Sequence, residues 1–142
     1  MRIKMFFLLT CAVLVFTLGA CSSSQNASLT LTADDFAKET GITRDVVMGI
    51  GDTLTVTLAS NASTGYSWNE VPAISNPPVL QQLTHKYIEP SAKTPVAGAP
   101  GKEEWTFKGT NEGATTLSFR YARPWESTMG LWQLKLNVTV KQ

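Results

Sequence analysis

Thr53-Leu54-Thr55-Val56-Thr57-Leu58 runs through Ala59 and Ser60 directly into Asn61-Ala62-Ser63-Thr64-Gly65-Tyr66-Ser67-Trp68. In the first part apolar residues alternate strictly with threonine, the two-residue period of a strand with one buried face. The second part is a small polar loop closed by glycine, after which aromatic residues resume. A loop held at both ends by sheet keeps its middle free to touch something else. Asn, Ser and Gly are also ordinary turn formers, so these eight residues taken alone suit a plain hairpin connection.

Outward from this stretch the pattern is strand, turn, strand. Residues 53–60, 66–70, 79–88, 103–109, 114–122 and 131–140 read as strands. In the last, Trp132, Leu134, Leu136, Val138 and Val140 share a face, and Leu117, Phe119 and Tyr121 repeat the alternation. One buried and one wet face, with turn signals between short strands, predict an all-β, immunoglobulin-like antiparallel β-sandwich. An open barrel is the structural alternative. Upstream, residues 29–32 suit a first strand and residues 33–38 a short helical turn.

If consecutive strands run antiparallel, their connections fall alternately at the two ends of the sandwich. Residues 61–65, 89–102 and 123–130 then share one end, and residues 71–78 and 110–113 share the other. The distinctive loops therefore gather on one edge. Residues 91–101 are rich in Pro, Ala, Gly and Ser and are expected to be mobile. In Arg123-Pro124-Trp125, by contrast, the proline fixes its own backbone and keeps Arg123 extended, aiming a guanidinium and an indole in set directions. Trp and Arg are frequent binding anchors. Trp125 is read as either such an anchor or a core aromatic, whereas Trp68 and Trp105, inside strands, are the better core residues.

The chain opens with Arg2 and Lys4, an apolar run, and then Leu18-Gly19-Ala20-Cys21-Ser22. This is the form of a secretory signal over residues 1–20, too short for a membrane-spanning helix. Leu18-Gly19-Ala20-Cys21 resembles a bacterial lipobox, which implies cleavage before Cys21 and a lipid on its sulfur, anchoring the chain to a membrane. Ser22 resembles outer-membrane sorting. Residues 21–29 form the lipidated cysteine and a flexible tether, leaving residues 30–142 as the domain. The sequons at Asn26, Asn61 and Asn137 favour a bacterial over a eukaryotic secretory origin.

Removing the signal takes Cys11 with it, and lipidation occupies Cys21, so the mature domain has no thiol nucleophile and no disulfide. Ten basic residues then face eleven acidic ones, a balance that excludes nucleic acid as a partner. The single histidine, His85, is read as a surface strand residue. Glu103 and Glu104 point to opposite faces if extended and make no catalytic dyad. No metal-ligand spacing or phosphate loop is present, so neither cofactor nor metal is expected, and an enzyme, such as a cryptic Ser-His-Asp hydrolase, is the remote reading.

Asn61-Ala62-Ser63-Thr64-Gly65-Tyr66-Ser67-Trp68, Gly98-Ala99-Pro100-Gly101 ahead of Trp105-Thr106-Phe107, and Arg123-Pro124-Trp125 together resemble the chagasin family, inhibitors of papain-like cysteine peptidases. The family pattern is Asn-Pro-Thr-Thr-Gly-Tyr/Phe-x-Trp, a glycine-rich loop before Trp-x-Phe, and Arg-Pro-Trp/Phe. The resemblance implies an immunoglobulin-like monomer whose three loops enter the peptidase cleft as a reversible, tight-binding wedge. Asn61, Ala62, Ser63, Thr64 and Gly65 would lie over the catalytic Cys and His of the target. Arg123, Pro124 and Trp125 would brace one side, and Gly98, Ala99, Pro100 and Gly101 the other. Ala62 stands where the family has proline and Ser63 where it has its first threonine, so the central loop loses rigidity and a methyl contact. The runner-up is a non-inhibitory immunoglobulin-like surface module that binds a protein or glycan through the same loops.

Overall fold

The computed structural model describes residues 25–90, 98–126 and 130–142. The expected signal segment over residues 1–20, Cys21, most of the loop expected to be mobile, and residues 127–129 lie outside the described residues.

Two sheets face each other. The first has the order β1 (Asn26–Leu31), β3 (Thr53–Ser60), β7 (Gly101–Gly109), β6 (Leu80–Ile88). The second has the order β2 (Gly41–Gly49), β9 (Trp132–Lys141), β8 (Gly113–Ala122), β4 (Ser67–Trp68), with β5 (Ala73–Ile74) also paired to β8. Alternation places Leu54, Val56 and Leu58 of β3 opposite Leu117, Phe119 and Tyr121 of β8 and Leu134, Leu136, Val138 and Val140 of β9, all buried. Each such side chain contributes about 1.5–3 kcal/mol on leaving water. Trp68 and Trp105 are core residues as expected, at 2% and 0% exposure. This is the expected immunoglobulin-like sandwich.

From β3 onward the neighbours pair antiparallel, but the two N-terminal strands do not. β1 joins β3 in parallel, Asn26 opposite Thr53 and Leu31 opposite Leu58, and β2 joins β9 in parallel, Gly41 opposite Gln133. Between them α1 (Ala33–Lys38), the expected helical turn, carries the chain from one sheet to the other. Its start is closed by Asp35, whose carboxylate accepts from the Thr32 amide at 2.8 Å and hydroxyl at 2.7 Å. The amide first, then the hydroxyl, holds the Asp35 carboxyl below the usual carboxylate range. Phe36, fully buried, stacks on Trp132 at 5.0 Å and tilts against Trp68 at 5.4 Å.

The expected boundaries differ from these in several places, and β5 lies within the expected connection 71–78. Residues 26–29, expected in the tether, belong to β1. β2 was not anticipated, because Arg44 and Asp45 interrupt its pattern and only Ile42 and Met48 are buried in this edge strand. The strand expected over residues 66–70 pairs only at Ser67 and Trp68, since the Asn69 side chain takes over, accepting from Arg120 N–H at 2.7 Å.

His85 also departs from the expected surface position: it is part-buried, its side chain 19% exposed. A bulge between Gln82 and Thr84 inserts Leu83 as an extra residue and reverses the inward face of β6 beyond it. Leu83 is left exposed, and His85, opposite Trp105 in register, turns inward to stack on that indole at 4.8 Å.

Candidate functional site

Strand direction brings the three loops together at one end. Ser60 is opposite Gly101, and Ser67 is opposite Ala122, so the stems of the 61–65 loop lie beside the start of β7 and the end of β8. The connection made from strand parity alone is thus correct for residues 61–65, 98–101 and 123–126.

The central loop is a 3-10 turn, Ala62–Thr64, capped from both sides. Asn61 Oδ1 accepts from Ser63 N–H at 3.2 Å and Ser63 Oγ at 2.7 Å, an N-cap in extended backbone geometry. Thr64 Oγ1 donates to Asn61 C=O at 2.6 Å, so this hydroxyl is used within the loop. Gly65 ends the turn at φ 76°, a left-handed conformation that favours glycine. Below it, Asn61 N–H donates to the Tyr121 hydroxyl at 2.9 Å and Trp68 Nε1 to Ala59 C=O at 2.9 Å. Ala62, Ser63 and Thr64 remain exposed on top.

On one flank Asn61 Nδ2 donates to Gly98 C=O at 3.1 Å, which docks the glycine loop on the central one. Gly98 and Pro100 are exposed and Ala99 is partly covered. Gly101 differs from them: it is buried as the first residue of β7, and a Cβ there would collide with the Tyr87 hydroxyl and the Ile88 carbonyl. Close packing with β6, rather than access to a partner, requires glycine at this position.

On the other flank Arg123, Pro124, Trp125 and Glu126 form a tight turn, with Pro124 at its second position and Glu126 N–H donating to Arg123 C=O at 3.1 Å. The Arg123 guanidinium lies 4.5 Å from the centroid of the Tyr66 ring. Its Nε donates to Thr64 C=O at 3.3 Å and its Nη1 pairs with Glu126 at 3.2 Å. Arg123 therefore fastens this turn to the central loop rather than standing free. Trp125 is 71% exposed, which decides against the core reading of that residue.

Two supporting residues escaped the sequence reading. Tyr66 supplies the ring beneath Arg123, a role that no periodicity signals. Glu103, at an inward position of β7, is buried at 4% exposure and accepts from Ser60, Trp68 and His85. An acidic residue between inward-facing Gly101 and Trp105 was its only sequence signal. Ser60 and His85 both bond to this carboxylate, so the imidazole is not placed to activate the hydroxyl as in a hydrolytic triad.

Residues 47–140 match the chagasin family peptidase inhibitor I42. Amoebiasin-2 of Entamoeba histolytica is 34% identical over 79 residues, 56% of this chain and 62% of that protein. The chain thus spans a little under two thirds of that relative's length. Among solved structures, the cysteine protease inhibitor EhICP2 from Entamoeba histolytica superposes with a TM-score of 0.64 at 22% identity, covering 84% of this chain and all of that one. PbICP-C, solved in complex with falcipain-2, gives 0.57 at 25% identity, covering 81% and 99%. With the family match extending from the end of β2 to the end of β9, and so across all three loops, the chain belongs to the chagasin family of peptidase inhibitors, not to an enzyme family.

Proposed function

We propose that the protein is a reversible, tight-binding inhibitor of papain-like cysteine peptidases that inserts its three joined loops as a wedge into the active-site cleft. The observation that carries this reading is Trp125: a large indole, 71% exposed, held by a proline turn beside a capped and exposed polar loop. Membership of an inhibitor family supports it, as does the falcipain-2 complex formed by PbICP-C. Loops ordered before binding lose less entropy on binding, so an ordinary interface of about 1,600 Å² can be tight. The block is steric, and the exposed Ala62, Ser63 and Thr64 would meet the catalytic groups of the target.

The experiment is a titration of papain with the purified domain. Stoichiometric loss of activity that returns on dilution supports the wedge; undiminished activity of papain and of other papain-like peptidases favours the non-inhibitory surface module.

The chain is further proposed to be an exported bacterial outer-membrane lipoprotein anchored at Cys21, working as a monomer. Gln25 lies at the end of the sandwich opposite the loops, its N–H bonded to Asp52 at 2.7 Å. Three serines, Ser22 to Ser24, separate it from Cys21, so the two lie at most roughly 14 Å apart at full extension. Such an anchor holds the domain close to the membrane with the wedge pointing away from it.

A further inference from the structure

We infer that Glu103 is the positioning residue of the central loop, its one buried carboxylate tying both stems of that loop to each other and to β6. The inference rests on the reading of residues 61–65 as the peptidase-contacting element. Ser60 is the last residue of β3, in the first sheet, and Trp68 belongs to β4, in the second. Glu103 Oε1 accepts from Ser60 Oγ at 2.7 Å and from Trp68 N–H at 3.1 Å. Its Oε2 lies 2.9 Å from His85 Nε2. One side chain thus spans the two sheets at the root of the loop.

The carboxylate occupies an unusual place. Inward positions of β7 hold Trp105 and Phe107, both fully buried, and Glu103 is the one buried charged residue among the described residues. A carboxylate removed from water costs free energy unless its lone pairs are filled, and replacing a buried polar pair by apolar side chains is often neutral or stabilising. What an apolar residue cannot do is fix the distance between Ser60 Oγ and Trp68 N–H. The third partner is itself held in place, because the His85 ring stacks on Trp105 at 4.8 Å with 27° between planes. Glu103 therefore selects one stance of the stems, and the 3-10 turn above inherits it.

A loop that is only partly in its binding stance lowers the apparent affinity by the competent fraction, and the loss falls on association. Removal of a contact with the peptidase falls on dissociation instead. This difference separates positioning from contact, and amide exchange in the free protein reads the loop without any peptidase.

The test compares Glu103→Leu/His85→Leu, Ser60→Ala and Glu103→Gln with the wild type. The double variant removes both members of the polar pair at once, and Ser60→Ala removes one arm with little risk to folding. Papain is the probe. Measured are the association and dissociation rates, the melting temperature, and hydrogen exchange of Thr64 and Gly65, whose N–H groups bond to Asn61 and Ala62 carbonyls at 3.1 and 3.2 Å.

In the double variant these amides should exchange about tenfold faster and association should slow by a similar factor, with dissociation nearly unchanged. Ser60→Ala should show the same signature at a smaller amplitude, and it decides the matter if the double variant does not fold. Glu103→Gln keeps an oxygen for Ser60 and Trp68 and should restore most of both rates. A folded double variant, or failing that Ser60→Ala, with wild-type loop exchange and association overturns the proposal, as does a change confined to melting temperature. Faster loop exchange in the variants of a protein that never inhibits papain would leave Glu103 as the positioning residue while removing the inhibitor reading.

Discussion

The Trp125 ring lies over Gly65 so closely that a Cβ on that glycine would stand 2.9 Å from Trp125 Cη2. Gly65 also has φ 76°, so the position excludes a side chain twice, by its backbone and by the indole. Gly65→Ala should push the indole off the central loop and weaken inhibition of papain at least roughly tenfold, with a stability loss of about 1 kcal/mol for the left-handed alanine. Inhibition titration together with urea denaturation checks both parts. Unchanged inhibition would mean that the seat of Trp125 on Gly65 does not matter to binding.

Trp125→Ala should weaken binding by about 2 kcal/mol, roughly thirtyfold, through faster dissociation. Since the side chain is 71% exposed in the free protein, the melting temperature should hardly move. Stopped-flow kinetics with papain and a thermal scan measure the two quantities. A destabilised fold with unaltered inhibition would return Trp125 to a packing role and remove the wedge.

Ala62→Pro should tighten binding by several tenths of a kcal/mol and raise stability slightly, because the free loop then has less entropy to lose. The geometry already suits it: Ala62 is the first residue of the 3-10 turn, and Asn61 before it is extended at φ −132° and ψ 91°. A weaker inhibitor would show that Ala62 meets the peptidase in a way that a pyrrolidine ring cannot.

Phe36→Ala should cost about 3–5 kcal/mol of stability, since the ring is fully buried between Trp68 and Trp132. Denaturant unfolding followed by tryptophan fluorescence is the direct measurement. Where the variant is still folded, inhibition should weaken as well, because α1 lies at the loop end of the sandwich and Phe36 packs on Trp132, which stacks on the Tyr121 ring whose hydroxyl accepts from Asn61 N–H.

Cys21→Ser should release the chain from bacterial membranes into the soluble fraction, with inhibition of papain intact. Fractionation and mass spectrometry of the wild type for a lipid on Cys21 decide the anchor. Identical fractionation of both forms, with no lipid found, removes it.

Much of this architecture was legible in residue order. A period of two identifies β3, β8 and β9 because a strand with one buried face has no other way to arrange Leu and Val against Thr, Lys and Gln. Strand parity then placed residues 61–65, 98–101 and 123–126 at one end, and the three motifs pointed to the family. The strands β1 and β2 were harder to see, since an edge strand buries few side chains and its parallel partner is distant in sequence.

What tertiary structure alone decided concerns side chains whose roles depend on a neighbour from another strand. Trp125 was anchor or core by composition, and only the turn closed by Glu126 and the seat on Gly65 leave it in solvent. Gly101 belonged to a glycine loop by sequence, but the Tyr87 hydroxyl and Ile88 carbonyl make it a packing residue. His85 faced solvent under simple alternation until one bulge at Leu83 reversed the pleat. Alternation determines which face a residue takes only while register is unbroken, and a bulge or cross-sheet hydrogen bond depends on the partner strand, which the local sequence does not contain.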